Sequence, residues 1–311
     1  MDRAALLSVL VDLSRVRQNA EAIVRKVGRG VDVLATVKAD AYGLGAERVS
    51  DAVGSVVRGW CVFSPLEAEG ARLWERTGRG SIVLGPPAWR EASQYRARGI
   101  RPAVTNVEEA RRLREADPLV CVDTGMQRFT CPPEDLDAVI EAGGCREAFT
   151  HATRLEHVTK LKELVGNRGL RIHAAATSLL DEPAAWLDAV RPGYALYCGA
   201  MRVVARLVDA RDGRGPAGYS GFVTSRHGVI LCGYSQGLRK GPCMVNGVRR
   251  NILEVGMQSA FVELGARDKA GDEAVLLGEE VLAEDVAKAW NSSPHEVLTR
   301  MGRLSERNYV G

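Results

Sequence analysis

The stretch that decides the fold is Val31-Asp-Val-Leu-Ala-Thr-Val-Lys38-Ala-Asp-Ala-Tyr42-Gly-Leu-Gly45. Its first seven residues are mostly apolar and β-branched, which predicts a buried strand. Lys38 stands at the predicted end of that strand, where an ammonium is costly to bury unless it is paired or used covalently. The glycines allow a tight turn before a helix that we expect to begin near Ala46. A lysine in this position either forms a salt bridge or, when desolvated, supplies an amine that can make a Schiff base with an aldehyde.

Short apolar segments alternate with helical segments from residue 30 to about residue 200. This alternation predicts a parallel sheet, and about eight strand–helix units fit in that length, which favours a (β/α)8 barrel over an open sheet. In such barrels the chemistry lies at the carboxyl ends of the strands. Five chemically active side chains follow predicted strand ends: Lys38, Arg128, His151, Thr177 and Arg191.

The pattern changes near residue 201, where helical periodicity weakens and glycine and β-branched residues mark short strands. We therefore predict an α/β barrel domain at residues 12–200 and a β-rich domain at residues 201–311. Residues 6–11 also have the pattern of a strand, which is a candidate for the second domain. A helix is expected to follow it, with Ser14 as its N-cap.

Composition places the chain among ordinary globular proteins. Of 311 residues, 46% are hydrophobic and 26% are charged, and the formal net charge is +3. Without a long basic run, these values predict no nucleic-acid binding. No apolar run is long enough to span a membrane, the start lacks a convincing signal-peptide cleavage site, and no metal site is predicted. Seven cysteines without a C-x-x-C pair favour free thiols in a reducing cytoplasm.

The segment Val37-Lys38-Ala-Asp-Ala-Tyr42-Gly-Leu-Gly45 resembles the lysine motif of the alanine racemase family, whose members use pyridoxal 5'-phosphate. The resemblance implies that Lys38 holds this cofactor and that Tyr42 belongs to the same site. It also implies a (β/α)8 barrel with a C-terminal β-rich domain, which the alternation of elements favours independently. Other motifs extend the resemblance over nearly the whole chain, although the second domain looks shortened.

A second segment, Cys121-Val-Asp-Thr-Gly-Met-Gln-Arg128-Phe129, resembles the family's Val-Asp-Thr-Gly-Met-x-Arg strand end. The resemblance implies that Arg128 contacts the substrate carboxylate. A guanidinium suits that role because it grips a planar carboxylate with two parallel hydrogen bonds. The family commonly has a lysine in place of Cys121, and its carbamylated form helps to orient the arginine. A cysteine cannot supply that anion in the same way, so either another group holds Arg128 or its role is altered.

Two segments resemble cofactor-binding motifs of the family: Thr150-His151-Ala152 and Arg171-Ile-His173-Ala-Ala-Ala-Thr177-Ser178. The resemblance places His151 behind the cofactor, although a barrel histidine is otherwise an ordinary core residue. The hydroxyl of Thr177 or Ser178 can donate to a phosphate, as backbone N–H groups also do.

The segment Val190-Arg191-Pro-Gly193-Tyr194 resembles a third motif of the family. The resemblance implies that Gly193 and Tyr194 offer main-chain donors to the phosphate and that Arg191 faces the pyridine nitrogen. Arginine stays protonated and has only donors, so it keeps that nitrogen unprotonated. The ring is then a weaker electron sink, which suits racemisation.

The segment Leu231-Cys-Gly233-Tyr234-Ser-Gln-Gly237 resembles the family's catalytic tyrosine segment. Racemisation removes a proton from one face of Cα and delivers a proton to the other, so a second group must stand opposite Lys38. The resemblance implies that Tyr234 is this group and that it reaches the cofactor of the other subunit of a homodimer. We expect His151 and Arg191, as nearby cations, to favour proton transfer at the tyrosine.

Two late segments carry departures from the family. Val255-Gly-Met257-Gln258 resembles the Met-Asp pair that lines the carboxylate pocket, with Gln258 in place of the aspartate. Ser293-Pro-His295-Glu296 resembles the segment that carries a phosphate-binding tyrosine, with His295 in its place. A histidine can still donate to a phosphate. The resemblance therefore assigns Met257 to the substrate pocket and His295 to the cofactor.

The sequence predicts a pyridoxal-phosphate-dependent racemase of alanine or another small amino acid, with Lys38 and Tyr234 as its two bases. One alternative is another reaction on the same fold, such as amino-acid decarboxylation or epimerisation of a specialised-metabolite intermediate. The departures at Cys121, Gln258 and His295 keep that alternative open. The other alternative is a cofactor-binding protein without catalysis. Tyr234 and Arg191 argue against it, because storage of a cofactor needs neither.

Overall fold

The computed structural model describes residues 6–311 and divides them into two compact units. The β-rich unit consists of residues 6–15, Tyr42–Gly45 and Tyr197–Gly311, and the barrel unit consists of Val16–Ala41 and Ala46–Leu196. Residues 31–45 are therefore divided between the two units, with Lys38 in the barrel unit and Tyr42 in the β-rich unit.

The elements are numbered in chain order. The strands are β1 (Leu7–Asp12), β2 (Asp32–Thr36), β3 (Gly59–Val62), β4 (Ser81–Val83), β5 (Ile100–Val104), β6 (Leu119–Cys121), β7 (Glu147–Ala152), β8 (Arg171–Ala175), β9 (Ala189–Val190), β10 (Met201–Asp212), β11 (Arg226–Ile230), β12 (Pro242–Val245), β13 (Val248–Val255), β14 (Ala260–Glu263), β15 (Glu273–Leu277) and β16 (Arg307–Val310). The α-helices span Leu13–Val27, Ala46–Val53, Pro65–Gly70, Leu73–Thr77, Ala92–Arg96, Val107–Arg112, Leu136–Gly143, Leu155–Val165, Tyr194–Tyr197, Ala283–Trp290 and Pro294–Met301. Short 3-10 helices span Arg114–Ala116, Pro133–Asp135, Thr177–Leu179 and Pro183–Ala185.

The barrel unit is built on a closed parallel barrel of β2 to β9, in which β9 returns to pair with β2. Its strands are buried on both faces, which explains their nearly continuous apolar sequences. The barrel interior is filled by one cluster of side chains: Leu34, Cys61, Ile82, Ala103, Leu119, Cys121, Phe149 and Ala189. The predicted (β/α)8 barrel is therefore confirmed, and its carboxyl end is where Lys38 leaves the sheet.

The β-rich unit contains one sheet with the strand order β11-β14-β13-β12-β15-β10-β1-β16. The strand at Leu7–Asp12 lies in this sheet, antiparallel to β10 and parallel to β16. Burial alternates along the first half of β10, as expected for a strand with one face on a core. The predicted β-rich C-terminal part of the fold is confirmed.

Three elements of this unit were not predicted: β15, β16 and the helix Pro294–Met301. A sequence signal existed for the helix, since Ser293 and Glu296 have the spacing of a capping box. The Ser293 side chain indeed accepts a hydrogen bond from the Glu296 N–H at 3.3 Å. The two strands are short, and their pairing with β10 and β1 is long-range, so local pattern did not reveal them.

The described part of the chain contains no helix that is long and apolar enough to cross a bilayer. None of the seven cysteines, all of which lie within the described residues, is in a disulfide. Within residues 6–311, no cluster of three or more His, Cys, Asp or Glu side chains has an arrangement that could hold a metal ion.

The prediction that Ser14 caps the first helix is wrong. The helix Leu13–Val27 follows β1 directly, so Asp12 occupies the capping position and its Oδ1 accepts the N–H of Arg15 at 2.9 Å. Ser14 lies inside the first turn and is exposed.

We predict that Asp12→Ala lowers the free energy of unfolding by about 1 kcal/mol, because the helix loses its N-terminal acceptor. Ser14→Ala is the matched control, two positions away, and should change stability by less than about 0.5 kcal/mol. Urea unfolding of the three proteins measures both values. Equal losses for the two variants would contradict the assignment of Asp12 as the cap.

Candidate active site

The chain leaves β2 through one turn of left-handed backbone at Lys38–Tyr42, called here the lysine turn. The φ angles of Ala39, Asp40, Ala41 and Tyr42 are 53°, 57°, 52° and 57°. Left-handed backbone costs a non-glycine residue roughly 1–2 kcal/mol, so the turn is strained and must be held by its surroundings. The tight turn was predicted at Gly43 and Gly45, but the left-handed backbone begins before them, at Ala39.

Glycine is nevertheless required at Gly43, for a different reason. A Cβ there would lie 2.9 Å from the carbonyl oxygen of Leu298, closer than real Cβ contacts. The end of the lysine turn is further fixed by Asp40, whose Oδ1 accepts the N–H of Ala46 at 2.7 Å. The turn is thus followed by close backbone packing and then by the helix Ala46–Val53.

The Lys38 amine is partly buried at the carboxyl end of the barrel. Burial lowers the pKa of Lys38, and the positive charges of Arg128 and Arg191 lower it further. Cys61 and Glu67 act in the opposite direction. A larger fraction of the amine is therefore neutral and nucleophilic than in a lysine exposed to water.

Arg191 is buried with 3% of its surface exposed. Its Nη2 donates to the carbonyl oxygens of Thr150 and Ala174, the latter at 3.2 Å, and its guanidinium lies 5.0 Å from the centre of the Phe149 ring. Its Nε is buried and has no hydrogen-bond partner among residues 6–311. A buried donor without an acceptor is costly, so this atom is available to a ligand acceptor.

Thr177 and Gly193 lie together, as the resemblance implies for a phosphate site. The Thr177 Oγ1 accepts the N–H groups of Gly193 and Ala195, each at 3.2 Å. Tyr194 follows Gly193 at the start of the helix Tyr194–Tyr197, and Ser178 is exposed beside Thr177.

His151 lies inside β7 and not beyond its end. Burial, followed by the charges of Arg191, Lys38 and Arg128, lowers the pKa of His151 to about 4. The imidazole is therefore neutral at pH 7, and the expectation that it acts as a cation is wrong. The physical reason is that it is partly buried among permanent positive charges.

Arg128 is exposed on the loop after β6 and makes no hydrogen bond or ion pair within the described residues. The loop is organised by Asp123, whose Oδ1 accepts the N–H groups of Gly125 at 2.7 Å and Gln127 at 3.2 Å. Gln127, which precedes the arginine, has left-handed backbone with a φ of 52°. The guanidinium is therefore presented by folded backbone and remains available for a ligand carboxylate.

Cys121 does not replace the anion that the family's carbamylated lysine provides. The thiol is buried in the barrel interior, and burial raises the pKa of Cys121 to about 12. It is neutral at pH 7, so it cannot pair with Arg128 as an anion.

Two further predicted residues meet in the β-rich unit. The Tyr42 ring lies 5.2 Å from the Tyr197 ring and 5.6 Å from the His295 ring, measured between centroids. Tyr197 is fully buried and was not assigned a role from the sequence, although it stands three residues after Tyr194. Tyr42 and His295, predicted separately, are thus neighbours.

Tyr234 and Met257 are also neighbours in the β-rich unit. The N–H of Tyr234 donates to the carbonyl oxygen of Gly256 at 2.9 Å. Both side chains are exposed, at 56% and 61% of their surfaces. At Gly233, a Cβ would lie 2.3 Å from the carbonyl oxygen of Met257, so only glycine permits this approach of the two loops.

Gln258 follows Met257 in the sequence, but it lines a cavity to which Met257 does not contribute. This cavity of about 300 Å³ lies within the β-rich unit. The other lining residues are Leu6, Leu7, Leu231, Gln236, Leu304 and Ser305.

The site features define a class of barrel proteins with a reactive amine. They are a strained lysine turn at the end of the first barrel strand, a buried arginine whose Nε has no acceptor, and a β-rich unit. The family models identify the class further. The model of the alanine racemase N-terminal domain matches residues 11–200, and that of the alanine racemase C-terminal domain matches residues 214–309. The chain belongs to the alanine racemase family.

Individual relatives agree with this assignment. The chain is 27% identical to the biosynthetic alanine racemase of Escherichia coli strain K12, over 97% of this chain and 99% of that protein. The solved alanine racemase of Streptomyces coelicolor is 26% identical, covers both chains completely and superposes with a TM-score of 0.87. The alanine racemase of Bartonella henselae, described with covalently bound pyridoxal phosphate, is 23% identical, covers 98% of this chain and 99% of its own, and shares the fold with a TM-score of 0.87.

The lowered pKa of His151 predicts a loss of stability in acid. The unfolded chain takes up this proton near pH 6.5 and the folded chain only near pH 4, so protonation favours the unfolded chain. Stability should fall as the pH drops through this window, by about 1.4 kcal/mol per pH unit for one such histidine.

Urea unfolding of the wild type and His151→Gln at pH 4.5, 5.5 and 6.5 measures this slope. The variant should have a slope that is smaller by the contribution of about one proton, while the buried His173, whose pKa is also lowered to about 4, continues to contribute. Identical slopes would contradict the proposed state of His151.

Proposed function

We propose that the chain is a pyridoxal-phosphate-dependent racemase that interconverts the enantiomers of alanine or another small amino acid. The observation that carries the proposal is the Lys38 amine, partly buried and with a lowered pKa, at the end of the first strand of the barrel. An amine of this kind is suited to form a bond with the cofactor aldehyde. Membership of the alanine racemase family supports the reaction.

The residues present fit the cofactor. Arg191 has a buried Nε without an acceptor, which the pyridine nitrogen would supply. The Thr177 hydroxyl can donate to a phosphate. Gly193 and Tyr194 are assigned main-chain contacts to the same phosphate, for which the Gly193 N–H would exchange its bond to the Thr177 Oγ1 for one to the phosphate. When bound, pyridoxal phosphate supplies the aldehyde and an electron-withdrawing ring. Arg191 keeps the nitrogen of that ring unprotonated because it can only donate.

Further contacts to the cofactor are assigned to His151, Ser178, Tyr42 and His295. His151 is neutral at pH 7, so it can donate a hydrogen bond without adding a charge to the site. Tyr42 and His295 contact each other in the β-rich unit, which supports placing them in one site. In this assignment residues 12–200 supply all of the cofactor contacts except that of His295, and residues 201–311 supply His295 and the second base.

Two groups move the proton in the proposed reaction. The Lys38 Nζ takes the Cα proton of the D-enantiomer, and the Tyr234 Oη takes that of the L-enantiomer from the opposite face. Arg128 holds the substrate carboxylate with two hydrogen bonds, and Met257 lines the same side of the substrate. The exposed and unpartnered guanidinium of Arg128 supports its part in this assignment.

We propose further that two copies of the chain form a homodimer in which Tyr234 of one copy serves Lys38 of the other. The exposure of Tyr234 and Met257 supports this arrangement, since two large side chains on adjacent loops would be covered by a partner. We place the enzyme in the cytoplasm, which the seven free cysteines support.

Another reaction on the same cofactor, decarboxylation or epimerisation, is the second candidate. The observation that favours it is the neutral Cys121, which leaves Arg128 without the anion that orients it in the family. A differently oriented guanidinium would select a different carboxylate position.

Incubation with L-alanine in heavy water separates the two candidates. A racemase should place deuterium at Cα and form D-alanine, whereas release of carbon dioxide without D-alanine would indicate a decarboxylase. Screening other small amino acids for the same exchange identifies the substrate if alanine is inert.

Tyr234→Phe should slow deuterium incorporation from L-alanine by about 10²–10⁴-fold, because it removes the group that takes that proton. Tyr219→Phe, at another exposed tyrosine of the β-rich unit, is the matched control and should react at the wild-type rate.

Mixed dimers test the shared site. Lys38→Ala and Tyr234→Phe should each be inactive, but mixing them with subunit exchange should restore about a quarter of the wild-type activity, because half of the dimers are mixed and each has one intact site. If each site used the lysine and tyrosine of one copy, the mixture would stay inactive. That outcome would contradict sharing while leaving the chemistry of the two residues in place.

A further inference from the structure

Glu67 contacts two elements with its two carboxylate oxygens. It is the third residue of the helix Pro65–Gly70, where it forms a capping box with the N-cap residue Ser64. Its Oε2 accepts the N–H groups of Phe63 at 2.7 Å and of Ser64 at 3.4 Å. These bonds are all that the cap requires of it. Its Oε1 instead accepts the N–H of Ala39 at 2.9 Å, from the lysine turn.

The Ala39 N–H needs an acceptor from outside the turn. The first N–H groups of a helical turn have no partner within it, and a left-handed turn has the same deficit. Farther along the lysine turn, the Ala41 N–H donates to the carbonyl oxygen of Val37 at 2.8 Å. Ala39 depends on Glu67, which is 28 residues away in the sequence. This bond therefore stabilises the first strained residue, directly after Lys38.

Glu67 is also the carboxylate in the electrostatic surroundings of Lys38. Arg128 and Arg191 lower the pKa of the lysine, and Glu67 raises it. The other neighbours carry no charge at pH 7, since burial raises the pKa of Cys61 to about 12 and lowers that of His151 to about 4. The negative charge thus opposes two fixed positive charges at the amine.

We infer that Glu67 is a positioning residue for Lys38: one carboxylate oxygen holds the strained lysine turn, the other caps the neighbouring helix, and the amine is thereby fixed at the barrel rim. The inference deepens the proposed function, on which its meaning for cofactor binding rests. The bond to Ala39 itself does not require the cofactor.

The test compares Glu67→Ala and Glu67→Gln with variants at Glu109. Glu109 is the matched control because it has the same position in the helix Val107–Arg112, and its Oε2 accepts the N–H and hydroxyl of Thr105 at 3.1 Å, within its own cap. Hydrogen–deuterium exchange of the full-length protein, followed by mass spectrometry of the peptide that spans the lysine turn, measures how firmly the turn is held.

We expect Glu67→Ala to speed exchange in the lysine turn by at least about tenfold, the effect of losing one hydrogen bond to a charged group. Glu109→Ala should leave that peptide unchanged, although both variants lose a carboxylate that accepts hydrogen bonds at the start of its helix. If Glu67→Ala does not fold, Glu67→Gln decides, because one amide oxygen cannot serve both Ala39 and the cap. Exchange at the wild-type rate in the folded Glu67 variants would overturn the inference.

A second readout separates positioning from simple capping. After removal of the cofactor, the pH midpoint for chemical modification of Lys38 should shift to lower pH in Glu67→Gln, because the opposing carboxylate is gone, and should not shift in Glu109→Gln. An unchanged midpoint in Glu67→Gln would overturn the electrostatic part of the inference.

Borohydride reduction of the cofactor-loaded wild type tests the proposed function separately. If position 38 is not labelled while Glu67→Ala still loosens the turn, the proposed function fails and the role of Glu67 in the turn stands. If position 38 is labelled and the turn is unaffected by Glu67→Ala, the function stands and the inference fails.

Discussion

The structure depends on one strained piece of backbone, the left-handed turn that begins directly after Lys38. Four successive non-glycine residues occupy a conformation that L-residues avoid, and the summed cost is several kcal/mol. Such a segment persists only where the surroundings determine it. Here the conformation is held by the hydrogen bonds from the Ala39 N–H to Glu67 and from the Ala46 N–H to Asp40, together with the close packing at Gly43. The strain is therefore located directly after Lys38, the amine to which we assign the chemistry.

The same region is electrically unusual because two guanidinium groups act on the Lys38 amine against the carboxylate of Glu67. Arg191 is buried, Arg128 is exposed nearby, and both act on Lys38. Two other groups that could add a charge, His151 and Cys121, are kept neutral at pH 7 chiefly by burial, which lowers the pKa of His151 to about 4 and raises the pKa of Cys121 to about 12. An amine among guanidinium groups gives up its proton more readily, and an anionic ligand offsets the repulsion. A phosphate-bearing aldehyde and a substrate carboxylate satisfy both conditions at once.

The barrel and the position of Lys38 after its first strand could be predicted from the sequence because they rest on local signals. Alternating short apolar segments and helices indicate a parallel barrel, and a lysine that ends such a segment is chemically conspicuous. The lysine turn could not be predicted in the same way, since Ala39 and Asp40 have no local preference for left-handed backbone. Its conformation depends on Glu67, which is distant in the sequence, so the residues of the turn alone do not indicate it.

Charge states were harder to predict than positions. His151 was expected to be a cation because an isolated histidine titrates near neutral pH, and only the folded surroundings reveal that burial and three positive neighbours prevent protonation. The Asp12 cap was missed for a related reason, since Asp12 and Ser14 are both good capping residues and the end of β1 decides between them.

The loop that carries Arg128 is held by backbone hydrogen bonds to a carboxylate, although the anion that orients this arginine in the family is absent. The family's anion is absent because Cys121 is a buried neutral thiol, yet the loop before the arginine is folded around the Asp123 carboxylate. Such a loop fixes the backbone position of Arg128 but not the orientation of its guanidinium plane, since no side chain among the described residues bonds to that group. A substrate carboxylate that binds with two hydrogen bonds would supply that orientation itself. In the proposed assignment of Arg128 to the substrate carboxylate, the cysteine at position 121 would transfer part of the positioning from the protein to the substrate, and a freer guanidinium would tolerate a wider range of carboxylate positions.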